Sequence, residues 1–328
     1  MVVTGYMAFE LGQLAGPYEF VAVEENSRTG CAYKVRNTMA DRFELLRILP
    51  SELQENREEQ ERFLREIKVH ARLSHPNIVS FHTATELGGQ AVMISEYFEG
   101  TTLEKRLEAG AMQEKEAIAC MSQVLSALSY AHEHGVVHRE VSPPNIVLGP
   151  DGAVKLTGFG LAKSASDPQL TCAGTVMGWL EYMSPEQVKG LDSLDSRTDI
   201  YSAGAVLFEM VTGQIPFVRE NQFDLMMAHV NAPPPSPLGL KPDLSLELSH
   251  IIITALSKDP AERFQTAAKF REALGRIGAA QPPELLPLVP ETEPAAEGWA
   301  SRSLLLTGVF TFLVVVAAFL ALLKIARP

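Results

Sequence analysis

Cysteine is scarce in this 328-residue sequence, and its three cysteines form no pattern typical of ligands or crosslinks. Cys31, Cys120 and Cys172 are far apart, without a CxxC pair or a histidine cluster beside them. Zinc sites and disulfide frameworks need such spacings. We therefore expect neither, and a reducing compartment is the simplest interpretation.

A concentrated basic surface is also missing. The chain has 28 Lys and Arg residues against 40 Asp and Glu residues, which gives a formal net charge of -12. Nucleic-acid binding requires clustered Lys and Arg side chains that neutralise phosphates. Nucleic acid is therefore excluded as a partner.

The N-terminus lacks the pattern of a secretory signal, and the sequence has no internal repeat. The first residues, MVVTGYMAFELGQLAG, contain no basic stretch followed by an apolar run. A cleaved signal has that order of segments. We therefore expect the bulk of the chain to remain in the cytoplasm.

One long uncharged run lies near the other end of the chain. Residues 304–323 are 20 residues without a charged side chain. At about 1.5 Å per residue, a helix of this length crosses a hydrocarbon core of roughly 30 Å. We predict a transmembrane helix there, followed by a short tail at 324–328. The alternative is a buried core helix, but no domain remains beside this run to bury it on all sides.

The segment before this run, residues 279–303, is rich in Pro and Glu, as is typical of an extended spacer. We predict a single-pass protein that is attached to the lipid bilayer through 304–323, with its main domain in the cytoplasm. Lys324 and Arg327 lie beyond the helix and favour the reverse orientation. A folded domain without a signal is hard to export, however, whereas a five-residue tail is easy to move.

The chain before the spacer changes character once. Between Tyr18 and Glu99 it has short β-type runs (YEFVAV, CAYKV, FELLRIL, AVMISEYF) and one helical stretch at 55–73. From Thr102 onward helices dominate, and one apolar helical repeat closes at Gly135. This predicts an α+β domain at 17–278, after an N-terminal extension at 1–16. A β-rich part spans about 17–99 and a helical part about 100–278.

Several strings in this domain carry a specific resemblance when they are taken in order: RFLREIKVHARLSHPNIV, ISEYFEG, VVHREVSPPNIVL, KLTGFGLA, EYMSPEQ, DSRTDIYSAGAVLFEMVTGQIPF and SKDPAERF. From about Gly16 to Arg276 the chain resembles bacterial membrane-anchored serine/threonine protein kinases. The resemblance implies a two-lobed protein-kinase fold with a small β-rich lobe and a larger helical lobe. It also implies ATP and Mg²⁺ as cofactors.

The resemblance places the nucleotide-binding positions, and several have changed. Of the glycine-rich loop only Gly30 is a glycine, and Arg47 stands where the family has its third-strand lysine, with Glu66 as the implied ion partner. Gly158 stands where an aspartate holds the magnesium ion. The remaining positions implied to line the nucleotide site are Ala32, Leu45, Glu96 and Phe98.

The catalytic loop is altered as well. Glu140 replaces the family's aspartate and Ser142 its lysine, while Asn145 matches the asparagine that could hold one magnesium ion weakly. An error of about 1 Å in the position of a base can cost on the order of 100-fold in rate. Phosphoryl transfer depends on positioning and on charge stabilisation, so we expect it to be severely impaired and ATP binding to be weakened.

The framework positions, by contrast, match the family. They are His138, Arg139, Phe159, Glu186, Asp199 and Arg263. Thr171 and Thr175 match places of phosphorylation, where Arg139 could receive the phosphate.

Three functional hypotheses remain. The first is a membrane-tethered pseudokinase that acts as a scaffold or switch on another protein, either an active kinase or a client. The second is a weakly active or unconventional ATP-dependent serine/threonine kinase. The third is a nucleotide-gated binding module without phosphoryl transfer.

Overall fold

A computed structural model describes residues 9–27, 30–49, 57–159, 163–164, 180–191 and 194–277. The first part of the described chain is β-rich, and its strands and helix are β1 (Leu14–Ala15), β2 (Tyr18–Ser27), β3 (Gly30–Asn37), β4 (Arg42–Ile48), α1 (Arg57–His70), β5 (Phe81–Leu87) and β6 (Gln90–Glu96). Within the described residues these strands form a six-stranded sheet in the order β1-β2-β3-β4-β6-β5.

The second part is mainly helical. Its helices are α2 (Leu103–Leu107), α3 (Glu114–Glu133), α4 (Pro185–Val188), α5 (Arg197–Thr212), α6 (Gln222–Asn231), α7 (Pro237–Leu240), α8 (Leu246–Ala255) and α9 (Ala267–Gly275). Its short strands are β7 (Thr101–Thr102), β8 (Val136–Val137), β9 (Ile146–Leu148), β10 (Val154–Leu156) and β11 (Lys163–Ser164). The predicted order, a β-rich lobe followed by a helical lobe, is confirmed.

The helical lobe is built around α3 and α5. Helix α3 ends just before Gly135, whose φ of 72° lies in the left-handed region that glycine adopts most easily. Helix α5 is buried along nearly its whole length, and it ends at Gly213 with φ 75°. The apolar helical repeat that was predicted to close at Gly135 is α3, and that prediction is confirmed.

The sheet has two different faces. On one face an apolar cluster includes Phe20, Tyr33 and Val35, and Phe9 packs on it, with its ring centroid 4.4 Å from that of Phe20. On the other face Met93 packs with Phe63 of α1. The N-terminal extension therefore reaches into the core of the β-rich lobe, since Phe9 is buried.

Two local expectations differ from the structure. The helical stretch expected at 55–73 ends earlier, because α1 spans Arg57–His70 and turns follow it, while residues 55–56 lie outside the described residues. Strand β5 was not predicted, because most of its side chains are exposed and it lacks a clear apolar alternation. It forms at the edge of the sheet by pairing with β6.

Candidate functional site

Asp199 organises the loop that joins β8 to β9. Its carboxylate accepts hydrogen bonds from the backbone N–H of His138 (2.8 Å), the backbone N–H of Arg139 (2.7 Å) and Nε2 of His132 (2.7 Å). Burial alone raises the pKa of a carboxyl group, but the hydrogen bonds from His132 and His138 hold the pKa of Asp199 below its ordinary value. The charged carboxylate therefore fixes the start of the loop.

Arg139 adopts an unusual backbone conformation in this loop. Its φ is 68°, which is costly for a residue with a side chain. Its N–H is held by Asp199, and its carbonyl oxygen accepts a hydrogen bond of 2.8 Å from Gln187 Nε2. Contacts from α5 and α4 therefore stabilise the strained turn.

His138 is completely buried below this turn. Its Nε2 lies 2.8 Å from the carbonyl oxygen of Thr157, so that nitrogen must carry the proton, and Nδ1 accepts from the N–H of Glu140 at 3.2 Å. Burial lowers the pKa of His138, partly offset by Asp199. The ring is therefore neutral, and it contacts the ring of Phe159 with centroids 4.6 Å apart.

Glu140, Ser142 and Asn145 of the catalytic loop lie close together. Asn145 Nδ2 donates to the carbonyl oxygen of Glu140 at 2.9 Å, and the backbone N–H of Thr157 donates to the carbonyl oxygen of Asn145 at 2.9 Å. The Ser142 side chain is buried, with its hydroxyl 3.4 Å from the carbonyl oxygen of Glu140. Ser142 therefore stabilises the loop from inside and does not extend a charge into the cleft.

Gly158 follows β10 and lies against Asn145. Its φ is 81°, and an added Cβ atom would lie 2.7 Å from Asn145 Nδ2, with other atoms of the amide nearer still. Real Cβ atoms essentially never approach another heavy atom within 3.0 Å. The amide of Asn145 therefore occupies the space that any side chain at Gly158 would need.

Arg47 and Glu66 form the ion pair that the resemblance implied. Arg47 lies on β4 opposite Ala32 of β3, and its Nη1 contacts Oε1 of Glu66 on α1. Glu66 is buried, while the Arg47 side chain is about one quarter exposed, at 24%. The pair therefore connects helix α1 to the sheet at the cleft.

The expected adenine side of the cleft is formed by neighbouring strands. Ala32 is buried on β3, and Leu45 on β4 pairs with Ser95 on β6. Gly30 begins β3 and pairs with Ser27 at the end of β2, and the two strands are antiparallel.

The end of β6 and the residues just after it connect the two lobes through side-chain contacts. Glu96 accepts a hydrogen bond of 2.8 Å from Lys155 Nζ and another of 3.1 Å from the backbone N–H of Ser80. Partial burial alone raises the pKa of Glu96, but the Lys155 hydrogen bond brings it below its ordinary value. The ring of Phe98 lies against Gly149, with Lys155 Nζ 5.4 Å from its centroid.

Glu186 and Arg263 form a buried ion pair at the base of the helical lobe. Arg263 Nη1 and Nη2 donate to the two carboxylate oxygens of Glu186 at 2.7 and 2.9 Å. Arg263 also donates to the carbonyl oxygens of Ser257 and Arg197. The pair therefore ties α4 to the segments around α5 and α8.

The donor set does not fit the magnesium ion that the resemblance implies. Mg²⁺ is usually bound through one or two carboxylates, and Gly158 supplies none, while Asn145 supplies a single amide oxygen. Within the ranges that the structure describes, no group of three or more Asp, Glu, His or Cys side chains is placed to hold a metal ion. The same disagreement extends to the ATP phosphates, which this family binds together with that metal.

Some predictions lie outside the described residues, namely those for Thr171, Thr175, the spacer at 279–303, the transmembrane helix at 304–323 and the tail at 324–328. Among the helices that the structure describes, none combines the length and apolarity needed to cross a membrane.

Three residues of the site were missed from the sequence. His132 binds Asp199 across 67 positions, and Lys155 binds Glu96 across 59, so no local pattern indicates either contact. Gln187 does have a local signal, because Ser184 and Gln187 form a capping box at the start of α4. Its second contact, to Arg139, depends on tertiary packing.

In sequence, the chain is similar to bacterial serine/threonine-protein kinases. Serine/threonine-protein kinase PknJ of Mycobacterium tuberculosis is 35% identical over 275 residues, which cover 81% of this chain and 46% of that protein. Serine/threonine-protein kinase PrkC of Bacillus subtilis is 34% identical over 256 residues, which cover 78% of this chain and 39% of that protein. The chain thus spans less than half the length of these relatives.

Solved structures agree with the fold. The crystal structure of the Mycobacterium tuberculosis PknI kinase domain matches with a TM-score of 0.65 and 28% identity, over 83% of this chain and all of that one (100%). The protein kinase domain family matches residues 27–274, about three quarters of the chain. Its two-lobed fold is therefore confirmed, and the chain belongs to the protein kinase domain family.

Proposed function

We propose that this chain is a membrane-tethered pseudokinase, a protein-kinase domain that acts as a scaffold or switch in bacterial signalling and transfers phosphate poorly or not at all. Its partner is another protein, either an active kinase or a client. Residues 304–323 attach it to the bilayer, and the kinase-like domain faces the cytoplasm.

The observation that carries the proposal is the contact between Gly158 and Asn145. The carboxylate that would bridge the metal and the ATP phosphates is missing, and the Asn145 amide occupies the space beside the Gly158 backbone. A substitution that merely restored an acid at Gly158 would collide with Asn145. A neighbouring side chain therefore lies in the space that the lost carboxylate would need, which favours a site adapted to the absence of the metal.

Two further observations support weak transfer. Ser142 is buried and neutral where the family has a lysine, so no positive charge reaches the transferring phosphoryl group from this position. Arg47 contacts Glu66, and arginine's planar fork is not equivalent to a lysine ammonium as a phosphate ligand.

The preserved framework supports a folded, binding-competent domain. Asp199 holds the loop, and Glu186 and Arg263 keep both members of a buried ion pair. Losing one member of such a pair is strongly destabilising, so a decayed domain would not be expected to keep both. Thr171 and Thr175 would allow regulation by another kinase.

A weakly active kinase is the second candidate, because Glu140 keeps a carboxylate in the catalytic loop and the Arg47 to Glu66 pair is formed. A nucleotide-gated binding module is the third. Both of these candidates require ATP to bind, whereas the proposed pseudokinase does not.

The test uses the full chain in detergent, with melting followed at millimolar ATP, with and without magnesium. A ligand at about 100 times its Kd stabilises the folded state by about 2.7 kcal/mol. We expect no magnesium-dependent shift and no transfer of labelled γ-phosphate to the chain or to a generic protein substrate. Transfer that is abolished by Asn145→Ala would overturn the proposal in favour of a kinase. A shift without transfer would favour the nucleotide-gated module.

A further inference from the structure

Four side chains, Phe81, His70, Phe159 and His138, form a column of ring contacts between the two lobes, and His70 lies inside it. His70 is in the last turn of α1 and is only 2% exposed. Its ring centroid is 5.6 Å from that of Phe159 and 6.4 Å from that of Phe81. A polar ring buried between two phenylalanine rings calls for a physical explanation.

His70 makes one buried hydrogen bond that connects three parts of the fold. Its Nε2 lies 2.5 Å from the carbonyl oxygen of Val79, in the segment before β5. The backbone N–H of Val79 donates to the carbonyl oxygen of Leu156 at 3.1 Å, at the end of β10. Helix α1 is therefore linked through Val79 to the strand that leads into Gly158.

The geometry also determines the protonation state of His70. A nitrogen that contacts a carbonyl oxygen must carry a proton, so Nε2 is the donor. Nδ1 is buried, and it has no hydrogen-bond partner among the described residues. The neutral ring fits this environment, whereas a second proton would place a buried charge and an unsatisfied donor between two phenylalanine rings.

We propose that His70 is a positioning residue that holds α1 against the segment before β5, so that Glu66 stays beside Arg47 without a nucleotide. Contacts between aliphatic side chains have no preferred direction. The hydrogen bond from His70 to Val79 is directional, so it favours one position of α1 relative to the segment before β5. Glu66 lies one helical turn before His70 on the same helix, so the two contacts hold the same face of α1. The inference concerns the position of α1 and is independent of whether the domain transfers phosphate.

The latch formed by His70 and Val79 should weaken in acid. Burial lowers the pKa of His70 from its ordinary value of 6.5, and Arg47 lowers it further, whereas the Val79 hydrogen bond and Glu66 raise it. Because the pKa in the folded protein lies below that of the unfolded chain, the stabilisation is complete above pH 6.5 and is lost as the pH falls. His138, beyond Phe159, titrates in the same direction, so a variant is needed to separate the two.

The experiment measures amide hydrogen exchange of the full chain without nucleotide, as protection factors for peptides that cover α1 at pH 7.5 and pH 5.5. In the unmodified protein we expect α1 to lose protection between the two pH values. The substitution His70→Leu keeps an apolar column without the hydrogen bond. We expect it to reduce α1 protection about tenfold at pH 7.5 and to remove the His70 part of the pH dependence.

Two controls make the result specific. His70→Gln, whose amide can donate to Val79, should restore part of the protection at pH 7.5 but not the pH dependence. His250→Leu, at an exposed histidine of α8, should leave α1 unchanged. Protection of α5 shows in each case that the helical lobe is folded. Unchanged or higher α1 protection in His70→Leu, with the same pH dependence as the unmodified protein, would overturn the proposal.

Discussion

The backbone of Gly158 lies so close to the side-chain amide of Asn145 that an added Cβ atom would be 2.7 Å from Nδ2. The two residues that match the family's metal site are thus in close contact here. Gly158 has no side chain, and the amide of Asn145 lies in the space beside its backbone. Gly158 also has φ 81°, so both its conformation and its surroundings favour glycine.

We predict that Gly158→Ala lowers the free energy of unfolding by about 2 to 4 kcal/mol, because the left-handed conformation and the overpacking against Asn145 both add a cost. Urea unfolding measures the change. Gly152→Ala is the matched control, since Gly152 has φ 74° but nothing within 4 Å of an added Cβ atom. Its loss should be only about 1 kcal/mol. Equal losses in the two variants would mean that Asn145 moves away at no cost.

Removing Arg263 should be far more costly than removing an exposed cation. We predict that Arg263→Met destabilises the domain by about 3 to 5 kcal/mol, because the buried Glu186 carboxylate loses its partner. Thermal and urea unfolding measure the loss. Lys269→Met is the control, because the Lys269 to Glu272 pair is exposed and should contribute little. If Glu186→Gln combined with Arg263→Met is no more stable than Arg263→Met alone, the unpaired charge is not the cause.

His229 should make the domain less stable in acid. Burial, with Lys258 as the second cause, lowers the pKa of His229 to about 3. Its contribution is therefore complete above about pH 6.5 and decreases as the pH falls towards 3, by up to about 1.4 kcal/mol per pH unit. We expect His229→Gln to show a smaller slope of unfolding free energy between pH 6.5 and 4.5. The same slope in both proteins would contradict a neutral buried His229.

The N-terminal extension should contribute to the stability of the β-rich lobe. Phe9 is 6% exposed and stacks on Phe20, so Phe9→Ala should lower the free energy of unfolding by about 3 kcal/mol. Leu14→Ala is the control, because Leu14 is 61% exposed. Similar effects of the two changes would show that Phe9 does not pack on the sheet in solution.

The main elements of the fold could be predicted from local patterns. Helices α3 and α5 have apolar residues at helical spacing, which is the local signal for a helix. Helix α3 ends before Gly135 and α5 ends at Gly213, so a glycine marks the end of each. Strand β5 could not be predicted in this way, because an edge strand with exposed side chains has no strong apolar alternation. Its pairing with β6 is what makes it a strand.

The candidate site was only partly predictable. The resemblance implied the Arg47 to Glu66 pair and placed Glu186 and Arg263 among the framework positions, and the structure shows that these two also pair. The inward direction of Ser142 had no signal in the sequence.

The sequence alone determined which chemical groups exist in the cleft, including the absence of a carboxylate at Gly158 and the presence of Asn145. Only the tertiary structure decided where the remaining groups lie. Asn145 lies against Gly158, and His132 reaches Asp199 across 67 positions. The physical reason is that a side chain's position depends on contacts between distant segments, and local propensity carries no information about those contacts.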